Sequence, residues 1–329
     1  MNDPLWTPSE ERITNSQMMR FMRAVAARRG YEFAGYDDLY RWSVAAPGEF
    51  WADIWSASGI VHSRSYDTVI ENPALPGARW FSGARLNFAE NLLRCDDARP
   101  AIIACGEGAA TRRISFAELR AEVAACAAGL KRLGVGRGDR VAAFIPNIPE
   151  AVIGMLAATS LGALWSSCSP DFGRQGALDR FEQIEPKVLL CANGYRYLGK
   201  EHDSLARVRE IAEQIASITH IVIISYLERD LSERPPGTVS WEELTADRTA
   251  SLTFEQLPYD HPVYIMYSSG TTGKPKCIVH GAGGVLLQHW KEHALHCDLT
   301  CDDVLFYFTT CGWMMWNWLV SALQVGAAI

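Results

Sequence analysis

Residues 267–276 bring together the side chains with the clearest chemical use in this chain of 329 residues. The run reads YSSGTTGKPK, so it contains two serines, two threonines, two glycines and two lysines. Glycine lets a backbone turn with positive φ and approach a ligand closely. Successive backbone N–H groups in such a turn form a concave nest for an anion, to which hydroxyl and ammonium groups add donors. The residue types and their spacing therefore predict a loop that cradles a polyphosphate.

The flanking segments predict how this loop is positioned. Residues 263–267 are apolar and rich in β-forming side chains, and residues 276–280 read as a second strand, so the loop is expected at the tip of a hairpin. Ligands of α/β sheets usually bind beyond the carboxyl ends of the strands. The run is not a Walker A loop, because Ser268 stands where that motif has its first glycine and Pro275 follows Lys274. A Gly/Ser/Thr turn without a ligand is the simpler alternative.

The run resembles the phosphate-binding signature of adenylate-forming enzymes, the superfamily of acyl-CoA synthetases and firefly luciferase. Within that superfamily, further segments resemble the acetoacetyl-CoA synthetase family: YDDLYRWSV, EFWADIW, ARLNFAENLL, SPDFG and GWMMWNW. They extend from the N-terminal region to the last residues, so the resemblance covers nearly the whole chain. It implies a ligase that uses ATP, Mg²⁺ and coenzyme A, with small molecules as partners. A carboxylate, here acetoacetate, would attack the α-phosphate of ATP, and the coenzyme A thiol would then displace AMP.

The resemblance also implies roles for individual residues of the loop. Lys276 matches the lysine of the family signature and would act in adenylation together with Thr271, and these two are the expected catalytic residues. Lys274 matches a variable position of the signature and is expected to face solvent. The residues expected to hold the β- and γ-phosphates are Ser268, Ser269, Gly270, Thr271, Thr272, Gly273 and Lys276.

A second predicted site is the aromatic run of residues 312–318, GWMMWNW. Trp313 matches the tryptophan that lines the carboxylate pocket in acetyl-CoA synthetases, and its bulk would restrict the pocket to short acids. Core packing is the alternative for Trp313. For Met314, Trp316 and Trp318 core packing is the preferred interpretation, because aromatic and methionine stripes on helices usually face a core.

Coenzyme A carries a 3′-phosphate and needs basic partners. Arg196 and Lys200 lie near the region that binds this group in acetyl-CoA synthetases, so the resemblance makes both residues candidates for coenzyme A binding. A solvated surface charge is the alternative interpretation of each residue.

Residues 289–293, HWKEH, fit the H-x-x-E-H pattern of inverted zinc peptidases. His289 and His293 would share one face of a helix, and another histidine and two cysteines follow by residue 301. The resemblance instead places this segment on the helix after the phosphate hairpin, where the family has no metal. We therefore expect no metal-binding residues, and a zinc hydrolase is the alternative.

The bulk composition argues against some partners. With 31 Lys and Arg against 38 Asp and Glu, the formal net charge is −7, which disfavours nucleic-acid binding because phosphate contacts need a basic face. The nine cysteines are scattered, and the first residues lack the basic and then apolar segment of a signal peptide. These features predict a reduced, cytoplasmic protein and leave its oligomeric state open.

Residues 304–329 carry no charge and are long enough to cross a membrane. Polar residues interrupt this stretch, however, and Gly312 divides it into a strand-like and a helix-like half. We therefore expect a buried strand and a buried helix of a large α/β core, without membrane association.

The rest of the sequence predicts an α/β fold with doubly wound sheets flanked by helices. Beyond the N-terminal region, short apolar strands alternate with helical patterns, which is typical of a parallel sheet covered by helices. Ser115 and Glu118 form a capping box before one helix, and Pro149 suits the first turn of the next. The resemblance implies an N-terminal helical cap region of acyl-CoA synthetases over residues 1–85 and an incomplete AMP-binding domain over residues 86–329.

Strands and helices alternate up to the end of the chain, and residues 326–329 read as the start of another strand. We therefore expect the N-terminal portion of a longer enzyme, truncated on its C-terminal side, and no turnover by this portion alone. The main functional hypothesis is ATP-dependent ligation of acetoacetate to coenzyme A. A synthetase for another short-chain acid, such as acetate, propionate or butyrate, and a catalytically incompetent nucleotide-binding fragment are the alternatives.

Overall fold

The computed structural model describes residues 5–228, 234–235, 237–268 and 273–329. The α-helices of these residues are α1 Glu10–Asn15, α2 Gln17–Arg29, α3 Tyr36–Ala45, α4 Pro47–Ser58, α5 Phe88–Leu92, α6 Phe116–Arg132, α7 Pro149–Ser160, α8 Gly173–Phe181, α9 Leu205–Gln214, α10 Trp241–Leu244, α11 Ala282–Trp290 and α12 Met314–Val320. The strands are β1 Thr68–Asn72, β2 Arg79–Ser82, β3 Arg85–Leu86, β4 Pro100–Ala104, β5 Arg112–Ser115, β6 Arg140–Phe144, β7 Leu164–Cys168, β8 Val188–Ala192, β9 Gly194–Tyr197, β10 Lys200–Asp203, β11 His220–Ile224, β12 Val239–Ser240, β13 Leu257–Pro258, β14 Pro262–Ser268 and β15 Lys276–Gly281. Two 3₁₀ helices, Pro170–Phe172 and Ser321–Val325, and a π-helix, Lys291–His296, are also present.

The N-terminal helices follow from their boundary residues. The sequence predicts a helix that is capped by Asn15 or Ser16, and the Ser16 side chain indeed accepts a hydrogen bond from the backbone of Met19 at the start of α2. A single second helix is expected over residues 37–56, but the structure has α3 and α4 instead. That prediction is wrong because Pro47 has no N–H to donate and its ring clashes with the preceding turn, so it begins a new helix.

A seven-stranded sheet forms the centre of the described structure. Its strand order is β12-β11-β8-β6-β7-β14-β15, and each neighbouring pair is parallel except β14 and β15, which are antiparallel. The strands that follow β6 lie on both sides of it, and the carboxyl ends of the parallel strands meet along one edge. Ligands of α/β sheets bind beyond such an edge.

Helices cover both faces of this sheet, because its central strands are apolar on both sides. In β6, Val141 and Ala143 face a core that includes α6 and α7, whereas Ala142 and Phe144 face a second core that includes α8 and α9. The predicted capping box opens α6, and Pro149 opens α7. The predicted α/β fold with helices on both faces of the sheet is therefore confirmed.

The buried strand expected in the C-terminal apolar stretch is not formed. Residues 305–308 form no regular secondary structure, and an isolated bridge links Val304 to Ala328. The side chains of Phe306 and Phe308 are 80% and 91% exposed. The prediction is wrong because a buried strand also needs hydrogen-bonded neighbours, and the described residues supply none beyond that bridge. The helix-like half does form α12, and no helix in the described ranges is long and apolar enough to cross a membrane.

Candidate active site

The strands on either side of the phosphate-loop run, β14 and β15, pair as a hairpin, as predicted. Strand β14 carries the chain to the carboxyl edge of the sheet, where its last residue, Ser268, pairs with Lys276, the first residue of β15. The other predicted phosphate ligands Ser269, Gly270, Thr271 and Thr272 lie outside the described residues. Gly273 has a φ of 97°, a conformation that glycine adopts without strain. Phosphate binding by this run stays a prediction, and the hairpin lies at the sheet edge that the prediction requires.

The two lysines of the run differ in their surroundings. Lys274 is exposed, as expected, but its Nζ forms an ion pair of 3.0 Å with Glu182, just after α8. Nearby, the backbone carbonyl of Pro275 accepts a hydrogen bond of 2.8 Å from the Gln183 side chain. Lys276 is exposed and has no ion pair with any residue that the structure describes. Lys274 therefore connects the hairpin to the end of α8, whereas the ammonium group of Lys276 is available to an anion.

A buried network fixes the strand that precedes the loop. Ser166 Oγ, on β7, donates to the backbone carbonyl of Ile265 on β14 at 3.0 Å. The hydroxyl of Tyr267, which is 2.9 Å from Ser166 Oγ, is then the donor in that contact, because a serine hydroxyl has one proton to give. Burial raises the pKa of Tyr267, which keeps the phenol protonated for this role. The end of β14 is thus held in place where the loop begins.

The aromatic run meets the same edge of the sheet. Ser167 Oγ, on β7, donates to the backbone carbonyl of Cys311 at 2.7 Å. Nδ2 of Asn317, on α12, lies 3.5 Å from Sδ of Met266 on β14. The aromatic run and the hairpin, which the sequence presents as two separate sites, therefore lie side by side at the carboxyl ends of β7 and β14.

Trp313 occupies the N-cap position of α12 and is 50% exposed. Its ring packs edge to face against Phe172, with centroids 5.8 Å apart, and Phe172 lies under the guanidinium of Arg180. A Cβ atom on Gly312 would lie 2.3 Å from the Phe172 ring, so any other residue at this point would displace that ring. A half-exposed indole beside the sheet edge is compatible with a pocket wall, and the pocket role of Trp313 stays a prediction.

The predicted packing roles in the aromatic run have different outcomes. Trp316 is buried, and its Nε1 donates to Oδ1 of Asn147 at 2.9 Å. Trp318 is half-buried, with its ring centroid 4.4 Å from that of His293. The packing prediction is wrong for Met314, which is 44% exposed. Met314 is the first residue of α12 and lies outside the helix face that packs on the core.

The two candidates for coenzyme A binding share the two-stranded ribbon of β9 and β10. The guanidinium of Arg196 forms an ion pair of 3.0 Å with Glu201 and donates to the backbone carbonyl of Gly108 at 3.0 Å. Lys200 is exposed at the start of β10. Arg196 is therefore bound by its neighbours and is not a freely solvated charge. Coenzyme A binding by either residue stays a prediction.

The histidines of the H-x-x-E-H pattern face helix α12 and the residue after it. Nδ1 of His289 lies 2.8 Å from Oγ of Ser321, and Nε2 of His293 lies 2.8 Å from the backbone carbonyl of Trp318. Among the residues that the structure describes, no group of three or more His, Cys, Asp or Glu side chains could hold a metal ion. The two histidines, whose spacing suggests zinc in the sequence, thus make contacts between helices in the structure.

One polar residue of the site is not predicted from the sequence. Asn317 is buried, and its Oδ1 has no hydrogen-bond partner within the described part of the chain. Together with Gly312, Ser167 and Met266 it lines a small cavity at the sheet edge. Burying an amide oxygen without a partner is unfavourable, so such a group marks a place where a ligand or water can bind. The feature of the sequence that could have indicated Asn317 is its polar amide side chain within a run of Trp and Met residues.

Comparison with known proteins identifies the family of the chain. The family model for AMP-binding enzymes matches residues 90–329, and the model for the N-terminus of acetyl-coenzyme A synthetase matches residues 36–92. The chain is 47% identical over 327 residues to an acetoacetyl-coenzyme A synthetase of Rhizobium meliloti (strain 1021), a match that covers 99% of this chain and 50% of that protein. It is 42% identical over 341 residues to malonamoyl-CoA synthetase vrtB of Penicillium aethiopicum, with coverages of 99% and 47%.

A solved structure gives the same result. The acetoacetyl-CoA synthetase from Streptomyces lividans superposes with a TM-score of 0.95 at 43% identity, and the match covers 100% of this chain and 51% of that one. The chain spans about half the length of the relatives it matches. Since the family model for AMP-binding enzymes covers well over half of the chain, the chain belongs to the AMP-binding enzyme family.

Proposed function

We propose that the full-length gene product is an acid–thiol ligase that joins acetoacetate to coenzyme A. In the first half-reaction, the acetoacetate carboxylate attacks the α-phosphate of ATP, which gives an acyl-adenylate and releases pyrophosphate. In the second, the sulfur of coenzyme A attacks the acyl carbon, AMP leaves, and acetoacetyl-CoA forms. Relatives named acetoacetyl-CoA synthetase, which match 99% of this chain, support the proposal.

The observation that carries the proposal is the meeting of the hairpin and the aromatic run at one sheet edge. Cys311 is hydrogen-bonded to Ser167 on β7, and Asn317 contacts Met266 on β14, the strand that leads into the loop. An adenylating enzyme must bring a carboxylate to the α-phosphate of a nucleotide, so its acyl pocket and its phosphate loop have to be neighbours. The two predicted sites satisfy that requirement.

The hairpin would act through positioning and electrostatics. Backbone N–H groups and hydroxyls of residues 268–273, among them the hydroxyl of Thr271, would hold the β- and γ-phosphates. The ammonium group of Lys276 would offset the negative charge that gathers as pyrophosphate leaves. The described residues offer no cluster of acidic ligands for a metal ion, and Mg²⁺ accepts phosphate oxygens and water as ligands. Bound to the nucleotide in this way, Mg²⁺ would supply further neutralisation of the phosphates.

The identity of the acid is the finer part of the proposal. The relatives are named for acetoacetyl and malonamoyl groups, and both acyl groups carry a carbonyl on their third carbon, which acetate, propionate and butyrate lack. A polar anchor in a mostly apolar pocket would distinguish these two classes of acid. The two N–H groups of Asn317 Nδ2 make only long contacts of 3.5 Å, to Met266 Sδ and to the backbone carbonyl of Trp313, so a closer substrate carbonyl would replace one of these acceptors.

A panel of acids tests the proposal. ATP–pyrophosphate exchange and thioester formation by the full-length gene product are measured with acetoacetate, acetate, propionate and butyrate. We expect the highest kcat/KM for acetoacetate. A higher value for one of the other acids would favour the alternative short-chain synthetase. No exchange with any acid would favour a nucleotide-binding module without catalysis.

A reduced, cytoplasmic setting and small molecules as partners are also part of the proposal. All nine cysteines are free, and several of them are buried in the core. Free thiols persist in compartments where disulfides do not form. The division into residues 1–85 and 86–329 is likewise proposed, and limited proteolysis that cuts first near residue 85 would support it.

A further inference from the structure

Two buried histidines connect the helix after the phosphate hairpin to the end of α12. His289 is on α11, and His293 is on the π-helix that continues it; their exposed fractions are 4% and 0%. His289 contacts the hydroxyl of Ser321, and His293 contacts the backbone carbonyl of Trp318, both at 2.8 Å. A π turn within a helix is rare and often marks a functional site. The reaction described above leaves both imidazoles without a role.

The hydrogen-bond partners determine which nitrogen of each ring carries the proton. Ser321 Oγ donates its proton to the backbone carbonyl of Asn317 at 2.9 Å, so it accepts from His289, which is protonated on Nδ1. The carbonyl of Trp318 can only accept, so His293 is protonated on Nε2. The two imidazoles are therefore donors through opposite nitrogens.

Both rings are held in the neutral form. Burial lowers the pKa of His289 to about 3 and that of His293 to about 4. A second proton on His293 would lie on Nδ1, which is buried and has no hydrogen-bond partner among the described residues. At neutral pH each ring therefore offers one fixed donor to the α12 region.

Helix α12 depends on such contacts for its position. It has seven residues, which is too short for a helix to be stable by itself in water. The carbonyls of its last turns have spare acceptor capacity, and those of Asn317 and Trp318 accept the hydrogen bonds from Ser321 and His293. Trp313 precedes the first residue of this helix, so a shift of the C-terminal end would also displace the indole.

We propose that His289 and His293 are positioning residues for the acyl pocket. By fixing the end of α12, they set the places of Trp313 and Asn317 in the wall beside the phosphate hairpin. Neither imidazole touches the substrate, and the proposal rests on the proposed ligase function. Loss of one donor should weaken the binding of the acid and leave the binding of ATP unchanged. A purely structural role would instead reduce the fraction of active enzyme, hence kcat, and leave both KM values unchanged.

Because the two rings donate through different nitrogens, a matched pair of variants can be made at each position. A glutamine amide reaches about as far as Nε2 of histidine, and an asparagine amide about as far as Nδ1. His293→Gln and His289→Asn therefore retain the donor, whereas His293→Asn and His289→Gln misplace it. For each variant of the full-length gene product, kcat and the KM values for acetoacetate and ATP are measured in the formation of acetoacetyl-CoA.

We expect the KM for acetoacetate to rise about 10-fold when the donor is misplaced and less than about 3-fold when it is retained, with the KM for ATP unchanged. Equal KM values for acetoacetate in the two variants at each position, or an equal rise in the KM for ATP, would overturn the proposal. If His293→Asn does not fold, the pair of variants at His289 decides. Failure of the ligase function is a different result: wild-type protein would then form no acetoacetyl-CoA, and the positioning role would be refuted with it.

Discussion

The run of residues 267–276 and the histidine segment of residues 289–293 both carry residues at the spacing of a chemical motif, but the structure places Lys276 of the first and the two histidines of the second in opposite environments. The hairpin ends at the carboxyl edge of the sheet, where Lys276 is exposed and makes no ion pair with the described residues. His289 and His293 are buried, and their N–H groups already have acceptors in the α12 region.

The comparison shows that the availability of a group decides its role more than its type does. An ammonium group at an open sheet edge can meet an anion. An imidazole whose proton is directed to an acceptor inside the protein is instead a fixed structural donor. We therefore propose that the hairpin carries the chemistry and that the histidines support the acyl pocket, and each of the following experiments tests that division.

Removal of the positive charge of Lys276 from the hairpin should have the largest effect, and this effect is on the rate of adenylation. In Lys276→Ala we expect ATP–pyrophosphate exchange to slow about 100-fold or more, because an electrostatic contact of the transition state is lost. Lys274→Ala is the matched control: Lys274 is ion-paired with Glu182 at the surface, and its loss should slow exchange less than about 3-fold. Equal rates in the two variants would abolish the distinction between the lysines.

Opening the pocket wall should have a smaller effect, on selectivity. In Trp313→Ala we expect kcat/KM for the longer acid hexanoate relative to acetoacetate to rise about 10-fold, since a bulky side chain that restricts the length of the pocket is removed. Tyr40→Ala, which removes an exposed aromatic ring from α3, is the control and should leave this ratio unchanged. An unaltered acid profile in Trp313→Ala would leave packing as the sole role of this indole.

Acid should destabilise the histidine segment. The folded-state pKa values of His289 and His293, about 3 and about 4, lie below the ordinary value of 6.5, so the unfolded chain takes up protons first as the pH falls. As the pH decreases from about 6.5, these two rings should therefore lower the free energy of unfolding, down to about pH 4 for His293 and about pH 3 for His289, and they should have no such effect above that range. Denaturant unfolding at several pH values measures this dependence, and His293→Gln should reduce it. An unchanged dependence in the variant would show that His293 is not held neutral by the fold.

Addition of zinc should have the smallest effect, on the Tm of the protein. Each histidine uses a protonated nitrogen to donate to the α12 region, so that nitrogen is not free to bind a metal ion. We expect the same Tm with added zinc and with a chelator. If zinc instead raised the Tm in a saturable way, and His289→Asn abolished this rise, the zinc-binding alternative would be restored. The histidine segment would then be a ligand site, as the hairpin is proposed to be.

The central sheet can be predicted from the sequence because its signals are local. Apolar strand segments, the capping box before α6 and Pro149 at the start of α7 all act through near neighbours in the chain. Residues 304–308 show the limit of this approach: their apolar content predicts a buried strand, but a strand also needs a partner that its own sequence does not encode. Pro47 is a local signal, and the single helix expected across it neglects the conformational restriction of proline.

The candidate site is predictable in its location but less so in its contacts. The strand-like segments on either side of the run correctly predict a hairpin at the sheet edge. The ion pair of Lys274 with Glu182 joins residues that are 92 positions apart, and no local pattern indicates it. The amide oxygen of Asn317 loses access to partners when α12 packs against β14, so its unpartnered state becomes visible in the folded structure alone.

The central claim is that residues 268–276 hold the triphosphate of ATP. A crystal structure of the full-length gene product with a non-hydrolysable ATP analogue and Mg²⁺ tests it most directly. We predict that the β- and γ-phosphate oxygens accept hydrogen bonds from the backbone of this loop and that the α-phosphate faces Trp313. Phosphates bound elsewhere on the protein, or loop amides that are already paired within it, would contradict the account.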